Sequence, residues 1–195
     1  MTYPEFYGSE YETLKKTQYA LTAKIERMMD PCSSEDDLQP IVYFCSRIKS
    51  PESMIDKLQR YALPVTREAA LGSIYDAVGI RVICSFTGDV ITVVEALEND
   101  PDLEVMEKKD YLSNPKPNGY RSVHLCIRLR ETAALAEIQV RTIAMDFWAT
   151  LEHQIKYKKQ VSNEALIRSE LKRCADEIAS VDISMQTIRE ILKDI

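Results

Sequence analysis

The chain has 195 residues, 45% hydrophobic and 29% charged, with only 5 Gly and 8 Pro and a net charge of −6. Those proportions exclude a disordered or low-complexity chain and fit one globular domain with a sizeable core. The acidic balance speaks against a bulk nucleic-acid binder, and the longest charge-free run, 38–46, falls far short of the roughly 20 residues a membrane helix needs. No basic segment followed by an apolar run opens the sequence, so a cytoplasmic protein without a secretory signal is expected.

In chain order, 9–29 reads as a helix with Ser9 as N-cap, its apolar residues spaced by three and four. "PCSSEDDLQP" is a polar connection. "IVYFCSRIK" reads as a strand or an extended lead into a site, and "PESMIDKLQRYA" as a short helix with Pro51 in its first turn. "VGIRVICSF" is a β-branched strand expected to be buried on both faces apart from Arg81. Helix follows at 89–98 and strand at 103–111. "RSVHLCIRL" and "LAEIQVRT" alternate, one face apolar and the other carrying His124, Cys126 and Arg128, or Glu137, Gln139 and Arg141. Helices are predicted from Ile143 to Lys158 and from Asn163 to the end. Strands mixed with helices define an α/β (α+β) domain around a central sheet. The five Cys form no C-x-x-C pair and are expected to be buried free thiols.

Several residues could do chemistry. Asp76 stands at the mouth of a core strand and Glu137 on the polar face of an apolar one. Two such carboxylates can hold a magnesium ion; alternatively, Asp76 caps a turn and Glu137 pairs with a neighbouring Arg. Arg47 and Lys49 are two apart on a strand, Lys57 and Arg60 three apart on a helix. Between Lys108 and Arg130 six bases stand against one acid, a local positive site for a compact anion. Within it lies "KPNGYRSVH", where a Pro-Asn-Gly turn carries Lys116, Tyr120 and His124. Trp148, Glu152 and Lys156 follow helical spacing and read equally as a core Trp beside an exposed Glu–Lys pair. His153 could be a satisfied core histidine. No Walker A loop, G-x-G-x-x-G or G-x-S-x-G is present.

"SRIKSPESMIDKL", "IYDAVGIRVIC", "KPNGYRSVH", "AEIQVRT" and "MDFWATLEHQIKYK" occur in this order. Together they strongly resemble the synthetase domain of the RelA/SpoT family, over residues 43–158. The resemblance implies a single (p)ppGpp synthetase domain over 1–195, of the stand-alone small alarmone synthetase kind. It implies a nucleotidyltransferase-like mixed sheet flanked by helices, with long terminal helices (9–29 and 163–195) serving assembly. The implied reaction is transfer of the β,γ-pyrophosphate of ATP to the 3′-hydroxyl of GTP or GDP, with Mg2+ as cofactor and AMP as leaving group. Asp76 matches the magnesium ligand, and Glu137 a second acid acting as metal ligand or base. Arg47 and Arg81 match the pair that sandwiches adenine; Lys49, Lys57 and Arg60 match contacts to the ATP phosphates. Tyr120 matches the ring that stacks on guanine, for which the ring and not the hydroxyl should matter. Lys116, Asn118 and His124 match contacts to the acceptor nucleotide, and Gln139 and Glu152 line the same cleft.

Two features depart from the family pattern. The "RETA" connection is short, and position 146 is Asp where the tetrameric branch regulated by alarmone binding tends to have Asn; both count against activation by pppGpp. Other readings are a toxic relative that pyrophosphorylates tRNA 3′ ends or adenosine nucleotides, and an inactive nucleotide-binding module. Neither a membrane nor a stable nucleic-acid partner is expected. From Ile167 to Leu192 apolar residues recur at alternating steps of four and three, a heptad seam that predicts a homo-oligomer, a tetramer by resemblance, unless the terminal helices pack within one chain.

Overall fold

The β-branched and alternating segments come together as one five-stranded sheet in the computed structural model, which describes residues 1–29, 39–156 and 163–193. The strands are β1 (Ile41–Ile48), β2 (Val78–Cys84), β3 (Leu103–Asp110), β4 (Val123–Leu129) and β5 (Leu135–Thr142), ordered β1-β2-β5-β4-β3. The β2/β5 pair is parallel and the other three pairs are antiparallel. The helices are α1 (Tyr3–Tyr7), α2 (Glu10–Met28), α3 (Pro51–Arg60), α4 (Arg67–Gly72), α5 (Thr87–Glu98), α6 (Ile143–Lys156) and α7 (Glu164–Lys193). This is the expected mixed sheet with flanking helices and a long C-terminal helix.

Alternation along the strands divides the two faces. Val78, Ile80, Val82, Leu125, Ile127, Ile138 and Val140 are buried with Leu14, Leu21 and Ile25 of α2 and Val90, Val93, Val94 and Leu97 of α5. At about 1.5–3 kcal/mol for each such side chain fully buried, this layer carries the fold. The opposite face carries the polar alternates, and register sets them in rows across all five strands. One row runs Cys45, Arg81, Gln139, His124, Lys109; the next runs Arg47, Gly79, Glu137, Cys126, Glu107.

Some expectations need correction. Ser9 makes no side-chain cap; α1, unforeseen, precedes it, and Gly8 at φ 59° separates the two helices. Cys84 and Cys126 are buried, which pushes their thiols up to about 12 and about 11. Cys45 is exposed, because β1 is an edge strand and Cys45 belongs to its polar row, while Cys174 is half-buried. Cys32 and most of the polar connection lie outside the described residues. The apolar stripe of α2 is intrachain core. On α7 the seam divides: Ile167, Leu171, Cys174 and Ile178 are half-buried, whereas Val181, Met185, Ile188 and Leu192 are exposed. The residues that α7 buries against its own chain are Ala175, Asp182 and Arg189, seven apart, on a neighbouring stripe. Trp148 fixes α7 to α6 by donating to the Leu171 carbonyl at 2.8 Å.

Candidate active site

Asp76 sits in a 3-10 turn (Tyr75–Ala77) that delivers the chain into β2. The end of β1 is tied to that turn, since the Lys49 N–H donates to the Ala77 carbonyl at 2.9 Å. The Tyr7 hydroxyl of α1 donates to the Lys49 carbonyl at 2.8 Å, so the unforeseen N-terminal helix braces the same corner. Ser50 caps α3 through the Ser53 N–H, with Pro51 preset for the first turn, and the helix then brings Lys57 alongside. Lys49 Nζ donates to Asp76 Oδ2 at 2.7 Å, and Lys57 Nζ lies 2.9 Å from Oδ1. The second contact is an ion pair without hydrogen-bond geometry, so the buried Oδ1 has a cation beside it but accepts no hydrogen bond. Arg60, expected beside Lys57, is exposed at the end of α3.

Glu137 is the next carboxylate on this face. Its Oε1 lies 3.3 Å from His124 Nδ1, and its Oε2 accepts from Gln139 Nε2 at 2.8 Å. Burial works against its charge, but the His124 imidazole, the Gln139 amide and the Lys57 charge outweigh burial and hold the carboxyl down at about 2. Among the described residues its ion-pair partner is His124 and not the neighbouring Arg that the structural alternative expects. One pocket is lined by Arg47, Asp76, Gly79, Arg81, Glu137 and Gln139 together with Cys45, Ser46 and Ile80. Gly79 lies between Arg47 and Glu137 in register, and a Cβ there would meet nothing within 4 Å, so the floor of the pocket is open beside the carboxylate. Among the described residues no group of three or more His, Cys, Asp or Glu side chains could hold a metal. Two carboxylates in one pocket, one with a buried oxygen that accepts no hydrogen bond, instead fit an ion such as Mg2+ that keeps several waters and shares phosphate oxygens.

The turn at 116–119 closes through the Gly119 N–H to the Lys116 carbonyl at 2.8 Å, with Pro117 presetting φ in second place. It brings Lys116, Tyr120 and His124 together as expected. Tyr120 Oη is 2.8 Å from His124 Nε2, and Lys116 Nζ stands 4.9 Å from the Tyr120 ring centre. The hydroxyl therefore has a partner that the expectation of a ring-only role did not include. Tyr111, not foreseen, meets both rings edge-on and lies under Lys116 at 4.3 Å. Asn118 Nδ2 donates to Glu152 at 3.0 Å; Glu152 is buried, not the exposed half of a Glu–Lys pair. His153 is exposed rather than in the core.

The positive window disperses in three dimensions. Lys108 pairs with Glu98, Lys109 with Glu107, Arg128 with Glu104 and Arg121 with Asp176, and Arg130 donates to the Pro101 carbonyl, while Lys116 stands at the aromatic cluster. Sequence reasoning missed Arg141 as a site residue, although it had placed it on the polar face of β5. It is almost fully buried, donates to Gln139 Oε1 at 3.3 Å and lies 5.9 Å from the Tyr120 ring centre. Tyr120, His124, Glu137, Gln139 and Arg141 thus form one closed circuit of contacts between pocket and turn. Such a face can neutralise a polyphosphate beside two carboxylates and offer flat groups to two bases.

Residues 46–162 match the family described as the region found in RelA/SpoT proteins. The chain belongs to the RelA/SpoT family. GTP pyrophosphokinase YwaC of Bacillus subtilis (strain 168) is 43% identical over 157 residues, 77% of this chain and 75% of YwaC. GTP pyrophosphokinase YjbM of the same strain is 32% identical over 175 residues, 87% of this chain and 82% of YjbM. In three dimensions the chain is similar to small alarmone synthetase 1 from Bacillus subtilis bound to its product pppGpp, with a TM-score of 0.80 and 30% identity over 91% of this chain and 93% of that one. Within the family it therefore resembles small alarmone synthetases along nearly their full length.

Proposed function

We propose that this protein is a GTP pyrophosphokinase that makes pppGpp from GTP, or ppGpp from GDP, at the expense of ATP. The 3′-oxygen of the acceptor attacks the β-phosphorus of ATP, the bond from that phosphorus to the α-phosphate bridging oxygen breaks, and AMP leaves; the hydroxyl proton passes to solvent. The observation that carries this reading is the single polar face on which a two-carboxylate pocket joins an aromatic turn through Glu137 and His124. Arg47 and Arg81 bind the ATP base, and Lys49 and Lys57 the phosphates. Lys116, Tyr120, Asn118 and His124 bind the acceptor, with Gln139 and Glu152 holding Glu137 and Asn118 in place. Asp76 and Glu137 would hold Mg2+, which when bound supplies neutralisation of the transferred group. Arg60, exposed at the end of α3, contacts the same phosphates as Lys49 and Lys57 in this reading.

Incubation with labelled ATP, magnesium and, separately, GTP, GDP, AMP or tRNA tests the reading. Labelled pppGpp and ppGpp are expected together with AMP. Label on tRNA or AMP but not on GTP or GDP overturns it. The net charge of −6 already weighs against tRNA, whose binding needs many phosphate contacts. We place the protein in the cytoplasm with its nucleotide substrates; among the described residues no helix is long and apolar enough to cross a membrane.

Tyr120→Ala is expected to raise KM for GTP by the loss of stacking, about 1–3 kcal/mol. Tyr120→Phe keeps the ring but strips His124 of its hydroxyl partner, at a cost of about 0.5–1.5 kcal/mol. Steady-state kinetics in GTP separates the two. Equal losses in both variants mean that the hydroxyl, not the ring, does the binding.

The protein is also a homo-oligomer, a tetramer in our reading. Ile143, Phe147, Leu151 and Ile155 form an exposed apolar stripe on α6, and Val181, Met185, Ile188 and Leu192 another on α7. Contiguous apolar surface of this kind marks an interface. Light scattering at micromolar concentration is expected to give about four times the chain mass, and Phe147→Asp to reduce it. A monomer in wild type rules the assembly out.

A further inference from the structure

Asp146, in the first turn of α6, has no role in the reaction as described so far, yet it is buried beside the pocket. Its Oδ2 accepts from the Tyr43 hydroxyl of β1 at 2.8 Å. Its Oδ1 lies 3.4 Å from Arg81 Nη1 and 3.3 Å from Arg141 Nε. One carboxylate therefore faces two guanidinium groups. Arg81, 40% exposed, lines the ATP pocket. Arg141, 2% exposed, lies against the Tyr120 ring and holds Gln139. A guanidinium cannot shed its proton, so Arg141 keeps its charge when buried and needs a carboxylate beside it. The Glu137 carboxylate is taken up by His124 and Gln139, and Asp146 supplies the charge. Oδ1 makes ion pairs to both arginines without hydrogen-bond geometry, so Tyr43 is what fixes the carboxylate between them.

We propose that Asp146 is a positioning residue shared by both nucleotide sites. It sets Arg81 for the base of ATP and, through Arg141, sets the Tyr120 ring for the base of the acceptor. The inference rests on the pyrophosphokinase reading, in which Arg81 and Tyr120 contact different nucleotides. Its distinguishing consequence is that one substitution, touching neither nucleotide, weakens both.

Full-length Asp146→Asn keeps the size of the side chain and an acceptor for Tyr43 but removes the charge. It is compared by steady-state kinetics and melting temperature with wild type, Arg81→Gln and Tyr120→Ala. Asp146→Asn is expected to raise KM for ATP and KM for GTP together, each by about fivefold or more, the lower end of common coupling between sites, with kcat held within about twofold. Arg81→Gln raises the ATP value alone, and Tyr120→Ala the GTP value alone. A merely structural role lowers the active fraction, and so kcat, and leaves both KM values where they were. Asp146→Asn with neither KM raised, or with only one raised, overturns the proposal. Where Asp146→Asn does not fold, Tyr43→Phe at a half-exposed position releases Oδ2 without changing any charge; the same paired rise supports the proposal, and unchanged KM values overturn it. A wild-type protein that makes no pppGpp overturns the pyrophosphokinase reading and the inference with it. An active wild type with an unaffected Asp146→Asn overturns the inference alone.

Discussion

Glu137→Gln is expected to reduce pyrophosphate transfer by about 10³-fold or more, because in the proposed reaction several kcal/mol of charge stabilisation at the transferred group would be lost and each 1.4 kcal/mol is about tenfold in rate. The substitution is nearly isosteric, and Gln139 and His124 remain in place on the polar face, so the apolar layer beneath is undisturbed. Asp76→Asn is expected to be as severe in rate and worse for stability. It leaves Lys49 and Lys57, with side chains 8% and 19% exposed, without the carboxylate that both face. Magnesium titrations distinguish a lost ligand from a lost base: a lost ligand shifts the metal dependence along with the rate. Near-wild-type turnover in either variant removes that residue from the site. The pH dependence of stability has a defined sign. Glu137 has its folded pKa lowered from 4.5 to about 2, so its ionised form stabilises the fold above 4.5, and that contribution is lost as pH falls towards 2. Urea midpoints of Glu137→Gln should therefore fall less steeply than those of wild type across that window.

Strands β4 and β5 are legible from period-two alternation and β2 from its β-branched run; the apolar residues Leu125, Ile127, Ile138 and Val140 are buried on the core face, but His124, Cys126 and Arg141 of the opposite face are buried as well. Alternation also placed Glu137, Gln139 and Arg141 on one face. What it could not give is the order of the strands, and hence that Arg81 neighbours Gln139 while Gln139 neighbours His124. That register follows from long-range pairing, which no local pattern encodes. The short helices α1 and α4 were missed because five or six residues hold too few apolar positions for a period to show. Charge was misread for a similar reason. The bases of 108–130 are adjacent in sequence, but their carboxylate partners Glu98, Glu104 and Asp176 come largely from other elements. Asp76 was legible as a carboxylate at a strand mouth. That it would be held by Lys49 and Lys57 at once depends on α1 and α3 closing over it. The heptad spacing on α7 was real, but it describes a stripe whose C-terminal half is exposed; the residues buried within the chain lie one position further along the helix.

Gly119→Ala should damage both folding and acceptor binding through the backbone alone. Gly119 has φ +90°, where an L side chain is strained at a cost of about 1–2 kcal/mol. A Cβ there would also stand 2.4 Å from Ala175 Cβ on α7, closer than two carbons can approach. Relieving that overlap means moving either α7 or the turn, and overpacking of this kind costs about 1–3 kcal/mol more. The turn is the softer of the two, since α7 is also held by Trp148 to Leu171 and by Thr142 to Asp182. Its displacement carries Lys116, Asn118 and Tyr120 away from His124 and Glu152. Gly119→Ala is therefore expected to lose about 2–5 kcal/mol in urea unfolding and, in the folded fraction, to raise KM for GTP more than KM for ATP. Ala175→Gly supplies the control. Combined with Gly119→Ala it removes the overlapping carbon but leaves the strained φ, so the double variant should recover the packing part of the loss and no more. Full recovery would mean that φ +90° carries no strain for Ala here, and no recovery would mean that the contact with α7 is not what the glycine is for.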